Sequence, residues 1–307
     1  YTHYNQPLNN WDVSNVEDMS NMFRYNSSFN QSLNNWDVSK VSNMSGMFNN
    51  SFSYNKSLSN WDVSNVSSMH GMFFYAKNFN QDLSSWDVSN VINMRGMFYH
   101  AEKFNQDLSN WDFNPAVVFV SSNSYPHMGF LDNSATSISN LDALLNNFAY
   151  LKLTNKNFGG NGLEYCNLST RNFLKYDLGW SIFADMSDNC NSIIGEIRYD
   201  QNNDGCDSSD GGISGFVVNA NDGINDFKTY SSNGSYTLGI IGTNFTVSVM
   251  DYPSYFSVNP ASLNVNFINS STEIVDFCIT ANQAIQDLNI SLIPVSEARP
   301  GFDADYQ

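Results

Sequence analysis

The residues best suited to chemistry lie in one loop, residues 200–210, which reads DQNNDGCDSSD. Oxygen-bearing side chains at alternate positions are followed by Gly205, which permits a tight turn around a hard cation. Calcium takes oxygen ligands from carboxylates, amides and backbone carbonyls. We therefore predict a structural Ca²⁺ site. Its candidate ligands are the side chains of Asp200, Asn202, Asp204, Asp207 and Asp210 and the carbonyl of Cys206.

The loop does not follow the EF-hand pattern. An EF-hand loop would end in an acidic residue where Gly211 stands, and no flanking helices are predicted. The alternative to a calcium site is a turn rich in Asp and Asn that holds no ion at ordinary calcium concentrations.

A second set of carboxylates recurs every 25 residues: Asp12, Asp37, Asp62, Asp87 and Asp112. If successive repeats stack at the ~4.8 Å spacing of strands, neighbouring carboxylates of this Asp ladder repel by ~1 kcal/mol in water. Hydrogen bonds from nearby amides or serines are the simplest way to offset that repulsion. A cation or basic ligand lying along the ladder, or solvation alone, is the alternative.

The Asp ladder belongs to a repeat that occupies the first third of the chain. Its pattern is L-x-x-W-D-V-S-x-V-x-x-M-x-x-M-F, and the Trp and Leu positions return every 25 residues. A fixed period of this length is typical of a solenoid, in which a repeat buries its apolar face only by stacking on its neighbours. The outward positions vary, as in Arg24, Asn49, Phe74 and Tyr99.

Each repeat is predicted to contain a short strand and a short helix. In Trp36–Val38 apolar and polar residues alternate, which favours a strand with Trp and Val turned inward. In Val41–Phe48 the apolar residues are three and four positions apart, which favours one face of a helix. Because L-x-x-W-x-V replaces the leucine-rich L-x-x-L-x-L, we predict an α+β leucine-rich-like solenoid over residues 1–115.

Three further segments follow the array. Residues 116–191 lose the period and are predicted to form an irregular cap, with a helix at Ser139–Phe148. Residues 192–282 contain eight short strand candidates, the last at Ile274–Ile279, which predict an all-β antiparallel sandwich. Residues 283–307 are predicted to begin a further β module or linker. The chain starts and stops within such patterns, so we expect both ends to be internal to a longer protein.

Composition excludes several function classes. The chain has 307 residues with 30 acidic against 13 basic side chains, and a formal net charge of -17 disfavours nucleic acid and anionic membrane surfaces as partners. No apolar run approaches the ~20 residues of a membrane-spanning helix, so membrane insertion is not expected. No nucleophile elbow, phosphate loop or zinc motif is present, and we expect no enzymatic activity.

The repeat also carries a family resemblance. WDVSNV, followed by M-x-x-MF and FNQ, resembles the repeat of bacterial surface proteins of the BspA-like, DUF285 class. Residues 200–218 resemble SdrD B-like or Cna B-like domains, which implies a calcium-stiffened Ig-like or transthyretin-like spacer. The ligand positions that carry over are Asp200, Asn202 and Asp204, with Asp207 or Asp210.

The cysteines fit the same resemblance. Four cysteines allow three pairings, and the sequential pairing keeps each bridge inside one predicted module. The segments around them are similar to secreted Bacteroidota proteins, which implies disulfides between Cys166 and Cys190 and between Cys206 and Cys278. That context implies an oxidising extracellular location and type IX secretion, with the secretion translocon as a possible partner during export.

These observations predict a non-enzymatic, secreted or cell-surface, adhesin-like protein. The solenoid would bind a protein or glycan ligand, and the sandwich would act as a spacer. The alternative is a purely structural stalk segment of a giant surface protein whose binding function lies elsewhere.

Overall fold

The computed structural model describes residues 3–120, 128–224, 226–268 and 271–282. It contains two hydrophobic cores, one running from Leu8 to Trp180 and the other from Ile193 to Ile279. The region around the second core is mostly β-structure. The β module or linker predicted for residues 283–307 lies outside the described residues.

In the N-terminal array, each 25-residue coil hydrogen-bonds to the next through its backbone. The amide of Met19 donates to the carbonyl of Asn43 at 2.9 Å, and the bond recurs one coil later, where Met44 donates to Ser68 at 2.9 Å. Residues 18, 43, 68, 93 and 118 form parallel bridges, one above another. The coils therefore stack in a constant register.

The helix predicted at Val41–Phe48 is wrong. The segment consists of turns in which Met47 N donates to Met44 O at 3.2 Å, while the amide of Gly46 donates to His70 O of the next coil at 2.8 Å. Gly46 has φ of 63°, in the left-handed region that interrupts a right-handed helix. Successive three-residue turns also return every third or fourth side chain to one side, so the apolar spacing fits both structures.

The strand predicted at Trp36–Val38 is also wrong. The parallel bridges of the array lie farther along each coil, at Asn43 and its equivalents. A coil is thus built from turns and single bridges, which differs from the strand-and-helix unit expected of a leucine-rich-like repeat.

The core of the array consists of columns of aromatic rings. One column stacks at centroid distances of 5.5 to 5.6 Å and contains Phe23, Phe48, Phe73 and Phe98. A second stacks at 5.9 to 6.2 Å and contains Phe29, Tyr54, Phe79 and Phe104. Both columns lie inside the array, so their stacking depends on the constant register of the coils.

The repeat tryptophans link neighbouring coils as well as filling the core. In each case the indole Nε1 donates, at 2.9 to 3.1 Å, to the carbonyl of the Leu 28 positions earlier; the donors are Trp36, Trp61, Trp86 and Trp111. Trp61 is 3% exposed, whereas Trp11, in the first described coil, is 54% exposed. The predicted inward placement is confirmed for the four inner tryptophans.

An asparagine ladder joins the coils at another corner. The amides of Asn30, Asn55, Asn80 and Asn105 each donate, at 2.9 to 3.0 Å, to the side-chain oxygen of the Asn 25 positions earlier. Ser137 N continues the ladder by donating to Asn105 Oδ1 at 2.7 Å. The ladder therefore reaches beyond the regular repeats.

The cap continues the array in a less regular form. It contains α1 (Ile138–Tyr150), β1 (Asn157–Tyr165), α2 (Leu168–Asn172), a π-helical turn at Phe173–Asp177 and β2 (Ser181–Met186). Phe98 N donates to Phe130 O, Leu131 N donates to Gly159 O of β1, and β1 pairs in parallel with β2. The helix predicted at Ser139–Phe148 is confirmed, and Ser137 caps its first turn.

The C-terminal region contains ten strands in the described residues. They are β3 (Asn191–Asp200), β4 (Gly211–Gly212), β5 (Val217–Asn221), β6 (Asp226–Tyr230), β7 (Ser235–Ile240), β8 (Asn244–Met250), β9 (Phe256–Asn259), β10 (Leu263–Asn266), β11 (Thr272–Ile274) and β12 (Phe277–Ala281). One sheet has the order β10-β8-β5-β6. The other has β11, β3, β12 and β9, and both β4 and β7 also pair with β3.

The prediction of an entirely antiparallel sandwich is wrong at one place. The single strand expected at Ile274–Ile279 is divided into β11 and β12, and both pair in parallel with β3. At the break, the Asp276 carboxylate accepts a hydrogen bond from Glu196 N at 2.8 Å, and the carbonyl of Val275 lies where a Cβ on Gly195 would stand. The strand is therefore interrupted where the Asp276 side chain, and not a backbone carbonyl, accepts from Glu196, and the same register resumes in β12.

Both disulfides implied by the family resemblance are present. Cys166, which directly follows β1 of the cap, pairs with Cys190, which directly precedes β3. Cys206 pairs with Cys278 in β12. The cap also contacts the β region directly, because Asn146 Nδ2 of α1 donates to Lys228 O of β6 at 3.1 Å.

A carboxyl group lies buried near this contact. Asp142, 3% exposed, accepts hydrogen bonds from the amides of Cys166 at 3.1 Å and Asn167 at 2.9 Å. Burial raises the pKa of Asp142 to about 7, although the two amides act in the opposite direction. Folding therefore favours the protonated acid.

We expect the substitution Trp61→Phe to lower the free energy of unfolding by roughly 1–3 kcal/mol, because it removes the indole donor to the carbonyl of Leu33, which then keeps only the amide of Trp36, and because the smaller ring leaves part of the core unfilled. The matched control is Trp11→Phe, at the exposed end of the same column. Urea titration of both variants is the measurement. Equal losses in the two would contradict a role for the indole hydrogen bond.

The raised pKa of Asp142 predicts a pH dependence of stability. The protonated carboxyl of Asp142 contributes to the free energy of unfolding in full below the unfolded pKa of ~4, and this contribution is lost as the pH rises towards 7. The loss is at most roughly 4 kcal/mol. In Asp142→Asn the urea unfolding midpoint should depend less on pH between these values. Asp188→Asn, which changes an exposed carboxylate, should leave the pH dependence of the midpoint as it is. An unchanged slope in Asp142→Asn would overturn this assignment.

Candidate functional site

The loop at residues 200–210 joins β3 to β4, and the disulfide at Cys206 ties it to β12. One carboxylate oxygen from each of Asp200, Asp204 and Asp210 lies within 4.8 Å of the others. Asp200 is 4% and Asp210 8% exposed. Three of the predicted ligand residues therefore converge, and their oxygens are the type that a hard cation prefers.

Hydrogen bonds within the loop orient these carboxylates. Asp200 accepts from the amides of Asp204 at 3.2 Å and Gly205 at 3.0 Å, and Asp210 accepts from the amide of Asp207 at 2.9 Å. Asn202 Nδ2 donates to Asp204 Oδ2 at 2.9 Å, so its amide lies beside the cluster. The turn expected from Gly205 is present, with φ of 96°.

Asp207 is not brought into the cluster. Its Oδ1 accepts from both the amide and the hydroxyl of Ser209 at 2.6 Å, and these bonds, chiefly that of the hydroxyl, lower the pKa of Asp207. The family resemblance left Asp207 and Asp210 as alternatives, and the geometry groups Asp210 with Asp200 and Asp204. The ligand carbonyl at Cys206 stays a prediction, as does calcium itself.

The Asp ladder has a uniform local geometry in four of its members. A serine two positions later donates both its amide and its hydroxyl to Oδ1 of the aspartate, as in Asp12, Asp37, Asp62 and Asp87. In Asp37, Ser39 provides the main effects that lower the pKa, and repulsion from Asp12 is the smallest contribution. The expected serine and amide bonds are present; a cation or basic ligand along the ladder stays a prediction.

Asp112, the last member, has a different setting because Asn114 replaces the serine. It lines a cleft of about 780 Å³ between the array, α1 and β6. The cleft also contains Asp107, Asp226 and Lys228, so it is mainly acidic.

A groove on the array was missed by the sequence analysis. We call it the turn-face groove, because the turns of successive coils form its floor. It has a volume of about 480 Å³ and is lined by Asn21, Arg24, Tyr25, Ser45, Gly46, Asn49, Asn50, His70, Gly71, Phe74 and Met128.

The groove arises from the residues that follow each Met-Phe pair. In the third and fourth coils these positions hold aromatic side chains that stack, Phe74 on Tyr99 at 4.8 Å and Tyr75 on His100 at 4.5 Å. The second coil has smaller side chains there, at residues 49–50. Variation at these positions was visible in the sequence, but their adjacency depends on how the coils stack.

Comparisons with known proteins identify the N-terminal repeats. Residues 1–63 and 32–124 match the family described as Mycoplasma protein of unknown function, DUF285, which confirms the resemblance of the repeats to that class over less than half of the chain. No curated protein matches the chain.

Among solved structures, the chain is similar to GBS52, the minor pilin of the Gram-positive pathogen Streptococcus agalactiae. The identity is 11%, the TM-score is 0.24, and the likeness covers 35% of this chain and 52% of that one. The chain thus spans about half the length of that pilin, and a likeness at this level carries no argument. The resemblance to SdrD B-like domains stays a prediction.

We expect calcium to raise the thermal unfolding midpoint of the oxidised chain relative to a chelator. Asp200→Asn should remove that rise, because Asp200 contributes one of the converging carboxylates. Asp207→Asn should keep it, because that carboxylate is bonded to Ser209. Comparing each variant with and without calcium separates binding from any direct loss of stability. The site would be refuted if calcium still raised the thermal unfolding midpoint of Asp200→Asn, or if calcium did not raise the midpoint of the unsubstituted chain.

Proposed function

We propose that this chain is an extracellular, non-enzymatic, adhesin-like surface protein. Its array acts as a solenoid of 25-residue coils that binds a protein or glycan ligand. Its β region acts as an Ig-like or transthyretin-like spacer that calcium stiffens. The observation that carries the proposal is the varied set of aromatic and amide side chains around the turn-face groove.

The side chains around the turn-face groove are less constrained by the fold than the other side chains of the array. The coil-to-coil bonds on this face use backbone groups, as in the bond from Gly71 N to Arg95 O at 2.8 Å. Phe74 and Tyr99 are only partly buried, and the same position is Arg24 in the first described coil. Stacking therefore tolerates many residue types here, and exposed aromatic side chains are common at binding surfaces.

Two observations support an extracellular location. The two disulfides are typical of proteins from oxidising compartments. The DUF285 match agrees with the surface-protein class that the repeats resemble. Type IX secretion, with its translocon as a partner during export, belongs to the same proposal. Within the described residues, every helix is too short or too polar to cross a bilayer.

The structural-stalk alternative is favoured by the junction between cap and β region. Asn167 Nδ2 donates to Asn146 Oδ1 at 3.0 Å, and Asn146 in turn bonds Lys228 O. The carbonyl of Cys166 approaches Gly239 so closely that a Cβ there would lie 2.0 Å away. The cap and the β region are thus joined by direct contacts, which suits a spacer whether or not the array binds a ligand.

The two alternatives differ in whether the chain itself binds anything. We expect the labelled chain to bind at least one member of a panel of immobilised glycans and extracellular matrix proteins. Tyr99→Ser should weaken that binding, because Tyr99 supports Phe74 beside the groove. The matched control is Tyr176→Ser, at an exposed tyrosine of the cap. Absence of binding across the panel would favour the stalk, whereas equal binding by both variants would show that the ligand binds away from the turn-face groove.

A further inference from the structure

We propose that the turn-face groove binds a saccharide that carries a carboxylate, with the sugar ring against Phe74 and the carboxylate against Arg24. The inference rests on the proposed binding function and names a ligand class for the same surface.

The charge of the groove is opposite to that of the chain. The protein has 30 acidic and 13 basic residues, yet none of the side chains that line the groove is acidic. Two of them, Arg24 and His70, carry basic groups. An anionic group is therefore attracted to this part of the surface, although it is repelled by the rest of the chain.

Arg24 retains capacity to bind an anion. Its guanidinium donates to Asn21 Oδ1 at 3.4 Å and to the hydroxyl of Tyr25 at 3.3 Å, which are long bonds to neutral acceptors. No carboxylate in the described parts of the chain lies within ion-pairing distance of it. Because a guanidinium binds a carboxylate through two parallel hydrogen bonds, this group suits a ligand carboxylate.

Phe74 offers a flat apolar surface to the groove. Tyr99 covers one side of the ring, with 12° between the ring planes, and the ring edge leans over Gly96. The previous coil places Asn49 at the equivalent position, where it leans over Gly71. Phe74 and Asn49 both line the groove, and no ring of the described residues stacks on the side of Phe74 opposite Tyr99. We assign that side, next to Asn49, to the C–H face of a sugar.

The remaining lining groups suit sugar hydroxyls. The amides of Asn21, Asn49 and Asn50 supply donors and acceptors, and Ser45 adds a hydroxyl. The volume of about 480 Å³ lies within the ~300–1,000 Å³ range of small-ligand sites. Arg24 and Phe74 are two coils apart, ~10 Å at strand spacing, so one ligand can reach both.

An acidic peptide fits the same charge less well. A bound peptide commonly pairs with unpaired backbone groups at a sheet edge. On this face the amides of Gly46 and Gly71 already donate to the carbonyls of the next coil at 2.8 Å. A ligand in the groove would therefore contact side chains, which include an aromatic ring and several amides.

The test uses the full chain on an array of neutral and acidic saccharides, followed by calorimetry with the strongest acidic binder and its carboxyl-reduced analogue. We expect the acidic saccharide to bind roughly tenfold or more tightly than the analogue. Arg24→Gln should remove that difference without weakening binding of the analogue. Phe74→Ser should weaken both ligands, and Tyr176→Ser should change neither. Unchanged thermal midpoints show that the variants fold.

Three results would overturn the inference and leave the proposed function standing. These are equal affinity for the acidic and reduced saccharides, saccharide binding unaffected by Arg24→Gln and Phe74→Ser, and binding of acidic peptides or proteins in place of saccharides. Failure of the chain to bind any saccharide, peptide or matrix protein would instead overturn the proposed function together with the inference.

Discussion

The structure depends on the hydrogen bonds that join each 25-residue coil to the next. Because these bonds use alternate backbone amides, such as those of Gly46 and Phe48, the register between coils is the same along the array. A constant register stacks identical positions into columns, which buries the rings of Phe48 and Phe73 against each other at 5.6 Å. Because these bonds use backbone groups, the position held by Arg24, Asn49, Phe74 and Tyr99 can differ between repeats while the coils keep the same register.

The array must also be closed, and the cap does this by continuing the same bonds. The buried carboxylate of Asp132 accepts from the amides of Gly129 and Asn161, both at 2.8 Å, and so joins an irregular coil to β1. Trp180 repeats the indole bond of the regular coils by donating to Leu153 O. The cap then supports the β region through α1, which contacts β6, and through the Cys166–Cys190 disulfide.

Features that depend on local pattern were predictable from the sequence. The 25-residue period, the inward tryptophans and the helix at Ser139–Phe148 follow from spacing alone, and the disulfides followed from family resemblance. The helix expected at Val41–Phe48 was wrong because turns and helices share the same apolar spacing, and the left-handed Gly46 was the overlooked signal. The parallel pairing of β11 and β12 with β3 joins residues distant in the sequence, such as Thr272 and Ser192, which no local pattern shows. Of the ligands predicted in the loop, Asp200, Asp204 and Asp210 lie together and Asp207 does not. The turn-face groove depends on coil stacking and was not foreseen.

The most direct test of this account is a measurement of scalar couplings across hydrogen bonds by NMR on the isotope-labelled chain. The coil-to-coil bonds predict couplings from the amide nitrogen of Gly46 to the carbonyl carbon of His70, and from that of Phe48 to Met72. A helix in the repeat would instead couple each amide to the carbonyl four residues earlier in the same coil. Detection of the first set supports the stacked array and the face it presents; detection of the second set would contradict both.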